Sequence, residues 1–176
     1  ELAGAGQIGF AVADASLLAQ GRARLVEQLR AELAVLPDEP FARPALTYVP
    51  GGPLDAEGLA AELASGRSRD RAAGRTLAGP HRDELDVVMV GKGAPAAQCS
   101  TGEQKAMLIA MTLAHAGLAA AGRPGLLLLD EVAAHLDPVR RTALFDRLRA
   151  GQAQVWLTGT ELAPFEDIAA EPLSGG

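Results

Sequence analysis

The apolar run Gly125–Leu129, followed at once by Asp130 and Glu131, limits what this chain can fold into more than any other feature. An uninterrupted apolar run too short for a helix is typical of a strand buried on both faces of a parallel sheet. Parallel neighbours require a crossover connection, usually helical. The sequence supplies one. Asp137-Pro138 reads as a helix start, with Asp as N-cap and Pro in the first turn. Val139, Leu144, Phe145 and Leu148 mark its predicted buried side, and Gln154–Thr158 is the next predicted strand. Upstream, Ser100 opens a long helix that Gly122-Arg123-Pro124 ends. Strands that alternate with helices predict an α/β lobe with parallel pairing over residues 79–176.

The rest of that lobe is less regular. Leu85–Val90 is a β-rich run, Gly91-Lys92-Gly93 is a turn signal, and Ala96–Cys99 is predicted to return as the partner strand. A short helix from Pro164 is expected to close the chain. Residues 1–78 read as a mostly helical arm. Leu25, Val26, Leu29, Leu33 and Leu36 recur at helical intervals within a predicted helix over 2–36. Pro37, Pro40 and Pro44 end it, and Ala45–Val49 is a short strand. Asp55 caps a second helix in which Leu59 and Leu63 share a face, and that helix is expected to run on through Arg67–Gly74.

Composition narrows the function classes. At 176 residues and 48% hydrophobic, the chain can bury a real core; with aromatics at 3%, that core is built mainly from Leu, Ala and Val. A net charge of −6 argues against binding nucleic acid through bulk electrostatics, so any DNA contact must come from a local patch. The single cysteine, Cys99, excludes an internal disulfide and is expected to be a small buried residue, not a nucleophile. Neither a membrane-spanning run nor a secretory signal is visible, which makes a cytoplasmic protein the default expectation. The chain opens at Glu1 inside a predicted helix, which reads as a fragment.

Four places carry candidate chemistry. At the end of the apolar run, Asp130 can hold a hydrated Mg²⁺, and Glu131 can orient or deprotonate a water that attacks a phosphate. Alternatively, the strand simply stops at a solvated turn. Ser100-Thr101-Gly102-Glu103 is a capping box. It either only starts a helix or also offers its free N–H groups to a phosphate, with Gly102 permitting close approach. Ala134-His135-Leu136-Asp137-Pro138 is a helix cap at least. Val155-Trp156-Leu157-Thr158-Gly159-Thr160-Glu161 is a strand that ends in hydroxyls and an acid. Arg67, Arg69, Arg71 and Arg75 form a cationic stretch, either a solvated face or a DNA contact. His81-Arg82-Asp83 reads as an ion-paired approach to a strand. His115 and His135 have no partner at metal-ligand spacing. Trp156 is expected in the core or between lobes.

Taken in order, these pieces resemble the C-terminal half of an ABC-type ATPase: signature, Walker B, D-loop and switch strand. In particular, Cys99-Ser100-Thr101-Gly102-Glu103-Gln104-Lys105-Ala106, Leu127–Pro138 and Gly74–Asp83 resemble the RecF family of DNA replication and repair ATPases, which is related to SMC proteins. The resemblance is sharp over 74–161 and loose over 1–73. It implies an α/β fold: the C-terminal half of an ABC-type P-loop NTPase head, a parallel sheet with flanking helices, plus a mostly helical arm subdomain.

The resemblance also implies roles. Glu131 would be the catalytic carboxylate, and Asp130 would hold Mg²⁺ through water. Ser100, Gly102 and Glu103 would belong to the signature that meets the γ-phosphate of ATP bound by a second subunit. Asp137 would lie at the dimer seam, and Thr160 stands where most ABC proteins carry a switch histidine. Implied partners are DNA at gaps or junctions, a second copy in an ATP-dependent homodimer, and RecO and RecR proteins. No Gly-x-x-x-x-Gly-Lys-[Ser/Thr] loop occurs in the chain, so the nucleotide site is expected to be incomplete here. An SMC-type ATPase is the nearest alternative, but residues 2–36 are too short and too glycine-broken for a long coiled coil. A module that only dimerises or binds a partner, without catalysis, is the alternative from another class.

Overall fold

The computed structural model describes residues 2–36, 39–120, 125–133, 136–151, 153–160 and 165. The chain forms two compact units, residues 1–34 with 45–88, and residues 35–44 with 89–176. The expected division between 78 and 79 falls inside the first unit, and the segment 35–44 goes with the second.

The first unit holds helix α1 (Leu2–Ala34), strand β1 (Pro44–Val49), helix α2 (Ala56–Ala73) and strand β2 (Glu84–Met89), of which Pro44 and Met89 fall to the second unit. Along α1 the buried stripe is Val12, Ser16, Ala19, Leu29 and Leu33. Leu25, expected on it, is 38% exposed. Ser16 is a buried hydroxyl in an apolar stripe, so it needs a partner. It donates to the Leu54 carbonyl at 2.5 Å, and Gln20 donates to the same oxygen at 2.9 Å. Asp55 caps α2 by accepting from Gly58 N at 2.7 Å, and Gly74 ends the helix in the left-handed conformation at φ 64°.

Asp83 ties this unit together. Its carboxylate accepts from Tyr48 Oη at 2.6 Å, from Gly51 N at 2.9 Å and from Arg22 at 2.9 Å. Arg22 also donates to the Pro80 carbonyl at 2.6 Å. The ion pair expected in His81-Arg82-Asp83 therefore exists, but the cation is Arg22 from α1. Neighbouring residues 82 and 83 point differently, and His81 instead meets the Thr76 carbonyl. Gly51 must be glycine here, since a Cβ would lie 2.5 Å from both Arg82 Cβ and the Gly79 oxygen. Burial raises the Asp83 pKa, but the bonds from Gly51, Tyr48 and Arg22 outweigh it and hold the carboxyl below its ordinary value. Burial, and then the hydrogen bond and charge of Asp83, push the Tyr48 phenol up to about 12.

The second unit holds β3 (Ala94–Pro95), α3 (Thr101–Ala120), β4 (Leu126–Leu129), α4 (Pro138–Ala150) and β5 (Gln154–Leu157). The sheet order is β1-β2-β3, and β4 pairs with β5 separately. The partner strand expected at 96–99 is shorter and earlier. Pro95 has no N–H to extend a ladder, and Ala96–Gln98 turns into a 3₁₀ helix. Along α3, Ala106, Met107, Ile109, Ala110, Leu113 and Ala114 are buried, a mostly small-residue face. On α4 Leu144 and Phe145 are buried, but Val139 is 69% exposed, since it follows the cap on the outer side of the first turn. Phe145 lies 6.3 Å from Phe165, ring centre to ring centre.

β4 and β5 are parallel, with Leu126 opposite Gln154 and Leu129 opposite Leu157. The expectation of burial on both faces does not hold. Leu126 and Leu128 are 60% and 67% exposed and Trp156 is 59% exposed, so among the described residues that face of the strand pair is largely uncovered. Cys99 is likewise half-buried, not buried, and its thiol lies 3.5 Å from the Pro95 carbonyl. The expected stop at Gly122-Arg123-Pro124, His135 and the helix from Pro164 lie outside the described residues, Phe165 excepted. Among the described residues, no helix is long and apolar enough to cross a membrane.

The Asp83 cluster gives opposite pH signatures. Asp83 has a lowered folded pKa, so its stabilisation is present above pH ~4 and fades as pH falls through the folded value. Asp83→Asn should cost about 1–3 kcal/mol near pH 7, as for hydrogen bonds to a charged group, with the difference from wild type shrinking below pH ~4. Tyr48 has a raised folded pKa, so its stabilisation is complete below pH ~10 and lost as pH rises towards about 12. Tyr48→Phe should remove that alkaline loss. Urea unfolding across pH checks both, and a pH-independent Asp83→Asn difference would refute the assignment.

Candidate functional site

The C-terminal ends of β4 and β5 bring two of the four candidate segments together. Because Leu129 and Leu157 are in register, the next residues, Asp130 and Thr158, stand side by side. Thr158 Oγ1 donates to Asp130 Oδ1. The backbone continues the match: Thr158 N donates to the Leu129 carbonyl at 3.0 Å, and Glu131 N to the Thr158 carbonyl at 3.2 Å. The sequence marked both hydroxyls at the end of this strand but gave a role only to Thr160. The parallel register was the signal that could have found Thr158. Thr160 itself lies exposed beyond the end of β5.

Glu131 has φ 53°, the left-handed region that a glutamate rarely occupies. The extended course of β4 ends at that residue. Ala133 and Leu136 just beyond are buried, and Leu136 N donates to the Ala133 carbonyl at 3.3 Å. Residues 134 and 135 of the Leu-Asp-Pro segment lie outside the described residues. Asp137 caps α4 by accepting from Arg140 N at 3.0 Å and pairs with the Arg140 guanidinium at 3.1 Å. The Arg140 amide first, and its charge after it, hold the Asp137 carboxyl below its ordinary value against a smaller effect of burial. Arg140 Nε in turn donates to the Pro40 carbonyl at 2.8 Å.

The third segment is the start of α3. The capping box is complete: Ser100 N donates to Glu103 Oε2 at 2.8 Å, and Glu103 N approaches Ser100 Oγ at 3.4 Å. Gln104 adds two bonds, to the Ala96 and Cys99 carbonyls at 3.0 and 3.1 Å, which fix the approach to the helix. Lys92, read in the sequence only as part of a turn, forms an ion pair with Glu103 Oε1. A Cβ added at Gly102 would meet nothing within 4 Å, so packing inside this chain does not require glycine there. Among the described residues, no hydrogen bond or ion pair joins the Ser100–Glu103 group to Asp130, Glu131 and Thr158. No group of three or more His, Cys, Asp or Glu among those residues could hold a metal unaided.

The cationic stretch is exposed at Arg67, Arg69, Arg71 and Arg75. Arg67 and Arg71 share a face one turn apart on α2, Arg69 faces away from them, and Arg75 follows the helix. His115 is exposed.

No family model matches the chain. Curated relatives do. It is 44% identical over 172 residues to the DNA replication and repair protein RecF of Caulobacter vibrioides, covering 90% of this chain and 44% of that protein. It is 46% identical over 165 residues to that of Mesorhizobium japonicum, covering 86% and 43%, and 56% identical over 111 residues to that of Brucella abortus, covering 62% and 29%. The chain belongs to the RecF family and matches the C-terminal part of those proteins. It spans less than half the length of the RecF relatives it matches. The fold agrees. The solved structure of the recombination mediator protein RecF-ATP in the RecFOR pathway superimposes with a TM-score of 0.69 at 18% identity, covering 87% of this chain and 43% of the RecF chain. The α/β class with a parallel strand pair and flanking helices is thus that of RecF.

The left-handed conformation of Glu131 is open to test in this RecF chain. Glu131→Gly should leave stability unchanged or raise it by about 0.5–1 kcal/mol, because glycine adopts this φ freely. Glu131→Val should lower it by about 1–2 kcal/mol. Urea midpoints decide, and equal losses in both variants would show that the side chain, not the backbone, governs this position.

Proposed function

We propose that this chain supplies the signature and Walker B halves of an ATP site in a RecF ATPase that acts on DNA in recombinational repair and replication restart. The observation that carries the reading is the strand-end arrangement: Asp130 fixed by Thr158, with Glu131 in a left-handed conformation. An acid that holds a cation and an acid that holds a water need different directions from adjacent positions, and the break from extended geometry at Glu131 would allow them. Asp130 alone cannot hold a metal, which fits Mg²⁺, since Mg²⁺ keeps its waters and binds through one or two carboxylates plus phosphate oxygens. When bound, Mg²⁺ would neutralise charge on the phosphate oxygens. Glu131 would accept the proton of the attacking water.

The signature reading draws support from Gly102. This chain leaves open space around it, which suits close approach by a ligand from outside. Ser100 and Gly102 would contact the γ-phosphate of ATP held by a second copy, with Glu103 part of the same signature, Asp137 at the seam and Thr160 at the switch position. The phosphate-binding loop would come from RecF sequence outside these residues, and that remainder would cover the exposed face of Leu126, Leu128 and Trp156. DNA at gaps or junctions, RecO and RecR would be the partners, in the cytoplasm, and the exposed arginines of α2 would lie towards DNA. As an isolated piece, the chain would act as a platform for dimerisation without hydrolysing ATP.

Two variants of the full-length protein test this. Glu131→Gln should keep ATP binding and lower hydrolysis by on the order of 10²-fold or more, since an amide cannot accept the proton. Turnover at the wild-type rate would move catalysis to another residue. Ser100→Arg should abolish ATP-driven dimerisation, followed by light scattering, and leave nucleotide binding by the monomer unchanged. A variant that still dimerises would reduce Ser100 to a helix cap.

A further inference from the structure

We infer that Lys92 is a positioning residue at the start of α3, neutralising Glu103 so that this helix end can receive the phosphate of a nucleotide presented by a second copy. The inference rests on the signature reading of Ser100 and Gly102 given above.

The two oxygens of the Glu103 carboxylate are divided. Oε2 accepts from Ser100 N at 2.8 Å, and Oε1 meets Lys92 Nζ. The Glu103 side chain is largely enclosed, at 15% exposure, whereas that of Lys92 is 54% exposed. Lys92 is delivered by a tight turn. Its N donates to the Met89 carbonyl at 3.2 Å, and Gly93, at φ 61°, donates to the same oxygen at 2.8 Å. The ammonium therefore reaches Glu103 from the end of β2, across the residues that lead into α3.

A helix start attracts anions through its free N–H groups and dipole. A capping carboxylate already occupies that field. It satisfies the Ser100 amide, but its charge opposes a second anion arriving at the same end. The Lys92 hydrogen bond first, and the Ser100 bonds after it, pull the Glu103 carboxyl down to about 2, so it stays charged and the conflict persists at any physiological pH. An adjacent ammonium cancels the charge while leaving the cap in place. At Gly102 the same helix end is open to an approaching group. Lys92 thus reconciles two demands that the capping box alone sets against each other.

The test uses the full-length RecF protein that carries this sequence, with ATP as probe and light scattering and nucleotide titration as readouts. Lys92→Met should weaken ATP-driven dimerisation by about tenfold, the order expected for one unscreened charge close to a phosphate, with unchanged ATP affinity of the monomer. Adding Glu103→Gln should recover most of the loss, because the amide oxygen still accepts from Ser100 N and carries no charge. Lys92→Arg should behave as wild type. A purely structural brace would not be rescued by Glu103→Gln. Wild-type dimerisation of Lys92→Met, or a double variant no better than Lys92→Met, would overturn the inference. Ser100→Arg separates the two levels. If it dimerises with ATP, the signature reading fails and the inference falls with it. If it blocks dimerisation while Lys92→Met does not, only the assignment of Lys92 fails.

Discussion

β4 and β5 run parallel with Leu129 opposite Leu157, so the two strands end at one level and their next residues meet. Parallel pairing places like ends together, which is why ligands of α/β sheets gather there. The pairing continues past the strands through Glu131 N and the Thr158 carbonyl, at 3.2 Å. That bond anchors the backbone of residue 131 while its φ of 53° costs conformational energy. A slip of one residue would place Asp130 beside Leu157 or Gly159 and leave its carboxylate without the threonine hydroxyl. The geometry of both acids therefore depends on a ladder of four residue pairs.

Charge in this chain is organised locally, not globally. The net charge of −6 offers nucleic acid or nucleotide no general attraction. Yet helix starts at Asp55, Ser100 and Asp137 each gather acceptors around free amides. At α2 and α4 the capping carboxylate comes from the residue before the helix. At α3 the hydroxyl of Ser100 takes that place and the carboxylate sits one turn in, shared with Lys92. The difference follows from sequence: an Asp N-cap sets its own charge at the helix mouth, whereas Ser-x-x-Glu folds a carboxylate back from the first turn onto the Ser100 amide, where Lys92 meets its charge. Such a mouth, backed by an ammonium, suits an anion better than the other two. The arginines of α2 carry the opposite sign, with Arg67 and Arg71 on one face and Arg69 on another.

Sequence alone revealed those parts of RecF that depend on neighbours in the chain. The caps at Asp55, Ser100 and Asp137 and the strand at 126–129 all rest on residues within one turn or one run. What it concealed depends on distant partners. Asp83 looked paired within His81-Arg82-Asp83, but the pattern could not name Arg22, 61 positions away, as the cation. Thr158 met Asp130 only through register, and Lys92 met Glu103 only through the turn after β2. The strand Leu126–Leu129 is a different case. Its unbroken apolar run predicts cover on both faces, yet Leu126 and Leu128 are exposed beside Trp156. A half-exposed strand would be expected to alternate apolar with polar residues. Here the two outward positions of β4 are leucine, and opposite Leu128 stands a tryptophan. A run of this composition suits an environment apolar on both sides, and the three side chains form one contiguous row that water alone would not favour. The mismatch between pattern and exposure is thus itself informative: it marks the face of the strand pair whose burial requires more than these residues supply.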